Sequence, residues 1–174
     1  MPASRLVRVA DRLSAGVGWL TARLVVVMVT AGAAGAILRY LARPLGIAPA
    51  LNALADLQWM LFSALFLLGA AWALATDAHV RVDVLYGRLA PRRRALVDLL
   101  GTVLLLLPFC ALLFWATWPA VAESVRIGEG ALDPGGLVRW PVKLLLPLGI
   151  ALLALQALAQ AAKAWATLRA PEAT

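Results

Sequence analysis

One cysteine, one histidine and nine acids in 174 residues leave this chain little reactive chemistry. A lone Cys110 excludes a disulfide framework, a cysteine-based metal cluster and a paired-thiol oxidoreductase. A lone His79 excludes bis-imidazole haem ligation from a single chain. The acids avoid the centres of the long apolar runs, which removes the buried carboxylate that a small proton-coupled exporter needs along its substrate path. An intramembrane serine protease needs its base at membrane depth, and His79 falls between two apolar runs. Those run centres also hold too few polar groups to replace a solute's hydration shell, so a self-contained channel is not expected.

What the chain has instead is hydrocarbon. It is 63% apolar with a mean hydropathy of +0.88, well above the usual half-apolar composition of soluble domains. Crossing a hydrocarbon core about 30 Å thick takes about 20 residues at about 1.5 Å each. Four runs qualify: 17–40, 57–75, 95–118 and 142–162. The fold class expected is therefore an all-α integral membrane protein, one domain over 1–174, with four transmembrane helices and short interfacial amphipathic helices. The seven tryptophans, Trp19, Trp59, Trp72, Trp115, Trp118, Trp140 and Trp165, all fall near a span end, where the ring is buried and its N–H stays wet. A signal peptide is the rival reading of the first run, but its apolar stretch exceeds the usual length of about 7 to 15 residues.

Segment 1–16 spaces Leu6, Val9, Ala10 and Leu13 at helical intervals opposite Arg5, Arg8 and Arg12, the pattern of an interfacial amphipathic helix. A second such helix is expected near Pro49, and 169–174 reads as a flexible tail. Pro108 and Pro147 each remove a backbone donor within a span, so kinks are expected there.

A net charge of +7 first suggests nucleic acid, but no groove-reading module or aromatic-interleaved basic patch is present. The cations cluster in connectors. Arg5, Arg8, Arg12, Arg81, Arg88, Arg92, Arg93, Arg94, Lys163 and Arg169 lie on one side; Arg39, Arg43, Arg126, Arg139 and Lys143 lie on the other. The excess predicts that both termini and the 76–94 connector are cytoplasmic, with Arg88 and Arg92 to Arg94 orienting the chain against anionic lipid. Arg23 lies within snorkelling reach of the same interface. Asp98 stands one turn after Arg94, where the helix dipole and an i, i+4 pair favour a carboxylate.

The stretch "DAHVRVDVLYGRLAPRRR", Asp77 to Arg94, places His79, Arg81 and Asp83 within five positions. A metal would need further ligands and only Asp77 is near. These three residues read instead as a structural loop that fixes the angle between two helices. No catalytic, cofactor or metal site is expected, and the chain is not read as an enzyme.

The run Leu57 to Phe109, with its "HVRVD" loop, and the run Ile127 to Gln156, with "GE…DPGGL…RW", closely resemble the small (DctQ-type) membrane subunit of tripartite ATP-independent periplasmic transporters. Ala78, Ala131 and Val138 depart from the glycine, serine and proline common there. The resemblance implies an accessory scaffold subunit in the bacterial inner membrane, within a sodium-coupled system that imports an organic acid. The loop vocabulary is most like the branch handling 2-oxo acids, lactate or related carboxylates. Implied partners are a large membrane subunit, a periplasmic substrate-binding protein and membrane lipid, with no nucleic acid and no cofactor. Candidate contacts are Gln58, Trp59, Ser63 and Gly69 on the second helix and Gln156 on the fourth. In the external connector they are Glu129, Asp133, Gly135, Gly136, Arg139 and Trp140. Small residues such as Ala70 and Gly149 permit close helix approach, to a partner or within the chain. The alternative class is an independent four-helix membrane enzyme or carrier.

Overall fold

A computed structural model of the chain describes residues 2–42, 48–78 and 86–170. Its elements are α1 (Pro2–Ala42), α2 (Ala48–Ala75), α3 (Pro91–Gly101), a π-helical turn (Thr102–Leu106), α4 (Leu107–Arg126), α5 (Trp140–Lys143) and α6 (Leu145–Arg169). They make four rods: α1, α2, α3 continuing into α4, and α5 continuing into α6. Each is long and apolar enough to cross a membrane. The described residues contain no strand. Four such rods are the pattern of a multi-pass membrane protein.

From Pro2 the N-terminal segment runs on without a break into the first span, so α1 is a single helix of 41 residues, about 60 Å long. Gly16 and Gly18 each weaken a helix by about 1 kcal/mol relative to alanine, yet neither ends this one. The reason is packing. Ala10, Ser14 and Thr21 are buried at helical spacing, and Gly18 leaves the space that the Trp72 ring of α2 occupies. Leu6, Val9 and Leu13 remain exposed on another face.

The two prolines act as backbone chemistry predicts, by different routes. Pro108 cannot donate to Leu104, and the preceding turn widens so that the Leu107 N–H donates to the Thr102 carbonyl, five residues back. Pro147 cannot donate to Lys143, and the fourth rod breaks at Leu144 between α5 and α6.

α6 is the hub, touching α1, α2, α3 and α4. Its buried residues are mostly small: Gly149, Ala157, Ala159 and Ala164 accompany Pro147, Ile150 and Gln156. At Gly149 an added Cβ would lie 2.7 Å from the Leu67 carbonyl oxygen, so α2 and α6 meet backbone to backbone here. That resolves the open reading of Gly149: its missing side chain serves packing inside the chain. The large apolar side chains point outward instead, among them Val26, Phe66, Leu105 and Trp115. An exposed surface of this kind requires lipid or another protein around it.

Candidate functional site

Polar side chains gather at the two ends of the rods. At one end α4 stops in a Schellman cap: Gly128 takes φ 58°, its N–H donates to the Val125 carbonyl, and the Glu129 N–H donates to the Ser124 carbonyl. The connector then turns sharply at Asp133–Gly136. Gly136 N–H donates to the Asp133 carbonyl at 3.1 Å, with Pro134 at the first central position and Gly135, φ 77°, at the second, as a type II turn requires. The Glu129 carbonyl closes the loop by accepting from the Arg139 N–H at 2.9 Å and the Trp140 N–H at 3.3 Å.

This connector is pinned to α2. Asn52 Nδ2 donates to the Pro134 carbonyl at 3.1 Å. Asp56, buried near the start of α2, accepts from the Leu137 N–H and from Trp59 Nε1, each at 2.9 Å. Gly136 is indispensable to that approach, since a Cβ there would lie 2.5 Å from both Asp56 Oδ2 and the Ala131 side chain. Beside it the Glu129 carboxylate accepts from Ser124 Oγ at 2.6 Å and pairs with Lys143. The Lys143 ammonium first, then the Ser124 hydroxyl, hold the Glu129 carboxyl below the ordinary glutamate range. Arg139 lies between the two acids with its guanidinium carbon 5.9 Å from the Trp59 ring centre. Its Nε is enclosed without a hydrogen-bond partner.

Of the expected connector residues, Glu129, Gly136 and Arg139 come together, Trp140 joins through its backbone, and Gly135 supplies the turn. The Asp133 side chain is exposed; only its carbonyl has a described role. Asn52, Asp56, Ser124 and Lys143 were not anticipated. An acid three residues before a tryptophan at a span end was the available signal for Asp56, but its partner Leu137 lies 81 positions away and offers only a backbone N–H.

At the other end, Gln156 is completely buried. Its amide accepts from Ser14 Oγ at 2.9 Å and donates to Asp11 Oδ1 at 3.1 Å. Lys163 also donates to Asp11 Oδ1, at 2.8 Å. Gln156 thereby ties α6 to α1 within the chain. Gln160 Nε2 donates to the Leu74 carbonyl at 3.3 Å, near the end of α2. Tyr86 OH donates to Asp98 at 2.6 Å, and Arg94 donates to the carbonyls of Leu89 and Gly87. Arg88, Arg92 and Arg93 are exposed. His79, Arg81 and Asp83 lie outside the described residues.

Among the second-helix candidates, Gln58 is exposed and lies against Gly32 of α1, where an added Cβ would be 2.9 Å from its Nε2. Trp59 divides its surface between solvent and Asp56. Ser63 Oγ donates to the Trp59 carbonyl within its own helix, while Gly69 faces open space. Arg23 places its guanidinium 3.3 Å over the Trp19 ring and donates to the Trp19 carbonyl, one turn nearer the N-terminus.

The connector cluster and the Gln156 cluster each join elements distant in sequence through hydrogen bonds and ion pairs. Such an arrangement fixes geometry. Residues 28–167 match the family model described as tripartite ATP-independent periplasmic transporters, DctQ component. No curated protein and no solved structure matches the chain.

Proposed function

Because the chain belongs to the DctQ component family of tripartite ATP-independent periplasmic transporters, we propose that it acts there as the accessory scaffold of a sodium-coupled organic-acid importer. In this reading it lies in the bacterial inner membrane with both termini cytoplasmic. It holds the large transport subunit in place, while a periplasmic protein supplies the substrate. The connector 127–139 then faces the periplasm, and its exposed Ile127, Leu132 and Val138 stand on a base fixed by Asp56 and Glu129.

The observation that carries this reading is the distribution of side chains. Large apolar groups cover the outside of the rods, whereas the polar groups are spent on clamps at the two ends. A scaffold needs a rigid body and an apolar exterior, and association within a bilayer then depends on close packing and a few interhelix hydrogen bonds. The test is uptake into proteoliposomes carrying the large subunit and supplied with binding protein, with and without this chain, under a sodium gradient. Loss of uptake and of copurification without the chain is the expected result. Full sodium-driven uptake in its absence would overturn the scaffold role.

A further inference from the structure

Three rod ends meet at the membrane face opposite the 127–139 connector: α2 ends at Ala75, α3 begins at Pro91 and α6 ends at Arg169. Between them opens a crevice of about 820 Å³. Among the described residues its charged lining is Arg94 and Lys163 on one side and Asp77 and Asp98 on the other, Asp98 already accepting from Tyr86 OH, and Gln160 and Thr167 add neutral hydrogen-bonding groups. Arg94 spends donors on the carbonyls of Leu89 and Gly87, and Lys163 spends one on Asp11. A guanidinium has five N–H donors and an ammonium three, so both cations keep capacity for an added acceptor.

The crevice does not end among these polar groups. Gly101 and Leu106 line it and also line an apolar groove of about 590 Å³ that continues along Leu105, Pro108, Phe109 and Leu112. Two local features make that groove. Gly101 has no side chain, and nothing lies within 4 Å of where its Cβ would be. The widened turn at Thr102–Leu106, which accommodates Pro108, interrupts the regular helix surface beside it. From Gly101 to Leu112 the helix rises about 16 Å, close to one leaflet of a hydrocarbon core about 30 Å thick.

We propose that this continuous path is a binding site for one diacyl phospholipid with an amino-bearing head group. The lipid phosphate meets Arg94 and Lys163, its ammonium meets the acidic side formed by Asp77 and Asp98, and one acyl chain lies in the groove past Gly101. A free phosphate would leave the apolar groove empty, and an apolar partner helix would bury the four charged groups of the mouth at high cost. A zwitterionic lipid satisfies both ends at once. The site would brace α3 against α6, adding to the Arg92 donation to the Leu168 carbonyl.

The experiment incorporates the full chain into vesicles of equal parts phosphatidylethanolamine, phosphatidylglycerol and phosphatidylcholine. The chain is then extracted in mild detergent, and retained lipid is counted by native mass spectrometry. One retained phosphatidylethanolamine per chain is expected. Gly101→Leu starts its side chain where nothing lies within 4 Å of the Cβ and favours the helix, so it should fold normally and retain at least tenfold less lipid. Gly101→Ala should keep most of it, Arg94→Gln should lower retention of all three lipids, and Asp98→Asn should weaken the preference among head groups. The assignment is overturned if no lipid is retained, if phosphatidylglycerol or phosphatidylcholine is held equally or better, or if folded Gly101→Leu retains lipid like the parent chain.

Discussion

Replacing Gln156 tests the tie between α1 and α6. The side chain has no exposed surface and makes two hydrogen bonds to α1, with Ser14 and Asp11. Hydrogen bonds between membrane helices average about 0.6 kcal/mol and reach about 1.7. Losing two thus costs about 1 to 3 kcal/mol, and Gln156→Ala adds a cavity cost of order 1 kcal/mol. Gln156→Leu fills most of the volume and should restore the packing part alone. The expected order of stability is parent, then Gln156→Leu, then Gln156→Ala, read by reversible unfolding in mixed micelles of mild detergent and dodecyl sulfate. A double-mutant cycle with Ser14→Ala isolates the bond at 2.9 Å and should give a coupling of about 0.6 to 1.7 kcal/mol. Equal stability of Gln156→Leu and the parent, together with a coupling below about 0.3 kcal/mol, would refute the tie.

At the opposite face, Asp56→Ala removes the acceptor of the Leu137 N–H and should speed amide exchange at Leu137 by roughly tenfold or more; unchanged protection would show that the connector is held elsewhere. Gly136→Val should reproduce that loss, because a Cβ there would lie 2.5 Å from Asp56 Oδ2, whereas an effect confined to Gly135 would contradict the geometry. Gly149→Val forces a side chain onto the Leu67 carbonyl and should cost about 1 to 3 kcal/mol of thermal stability, while Gly69→Ala, facing open space, should be tolerated. Glu129 has its folded pKa lowered by Lys143 and Ser124, so its contribution is present above the unfolded glutamate pKa and is lost as pH falls through the lowered folded value. Connector exchange should therefore rise only in acid, and Glu129→Gln should abolish that step; a step near neutrality would contradict the assignment.

The rods were legible in the sequence because hydrocarbon thickness is a one-dimensional constraint, satisfied by consecutive apolar residues. The connector turn was also legible: Pro134, Gly135 and Gly136 carry their conformational instructions locally. What the turn docks against was not, since Asp56 meets it through a backbone N–H that has no sequence signature. Gln156 shows the complementary failure. A polar residue in an apolar run says that a partner exists, but only packing shows that the partners, Ser14 and Asp11, belong to the same chain. The continuity of α1 escaped for a related reason. Its N-terminal turns carry an interfacial pattern, yet Ala10 and Ser14 are small enough to seat them against another rod, and no helix-stopping residue separates them from the span.

The fourth rod links these two kinds of information. Lys143 at its start pairs with Glu129, and Lys163 near its end pairs with Asp11. Twenty residues separate the two lysines, a rise of about 30 Å, which equals the thickness of a hydrocarbon core. Asp56 on α2 and Asp77 just past its end stand 21 positions apart and bracket a similar length. That spacing suits clamps placed where a bilayer changes from hydrocarbon to head group, the depth at which an ion pair keeps access to water and avoids the full cost of burial. Since α6 touches all the other helices of the three remaining rods, fixing its two ends fixes the depth of the whole bundle. A tilt of α6 would strain the Glu129 and Asp11 clamps together. Variants at opposite faces should then couple in stability although the groups they alter lie a membrane's thickness apart, and strictly additive Glu129→Gln and Lys163→Gln effects would show that the two ends are held independently.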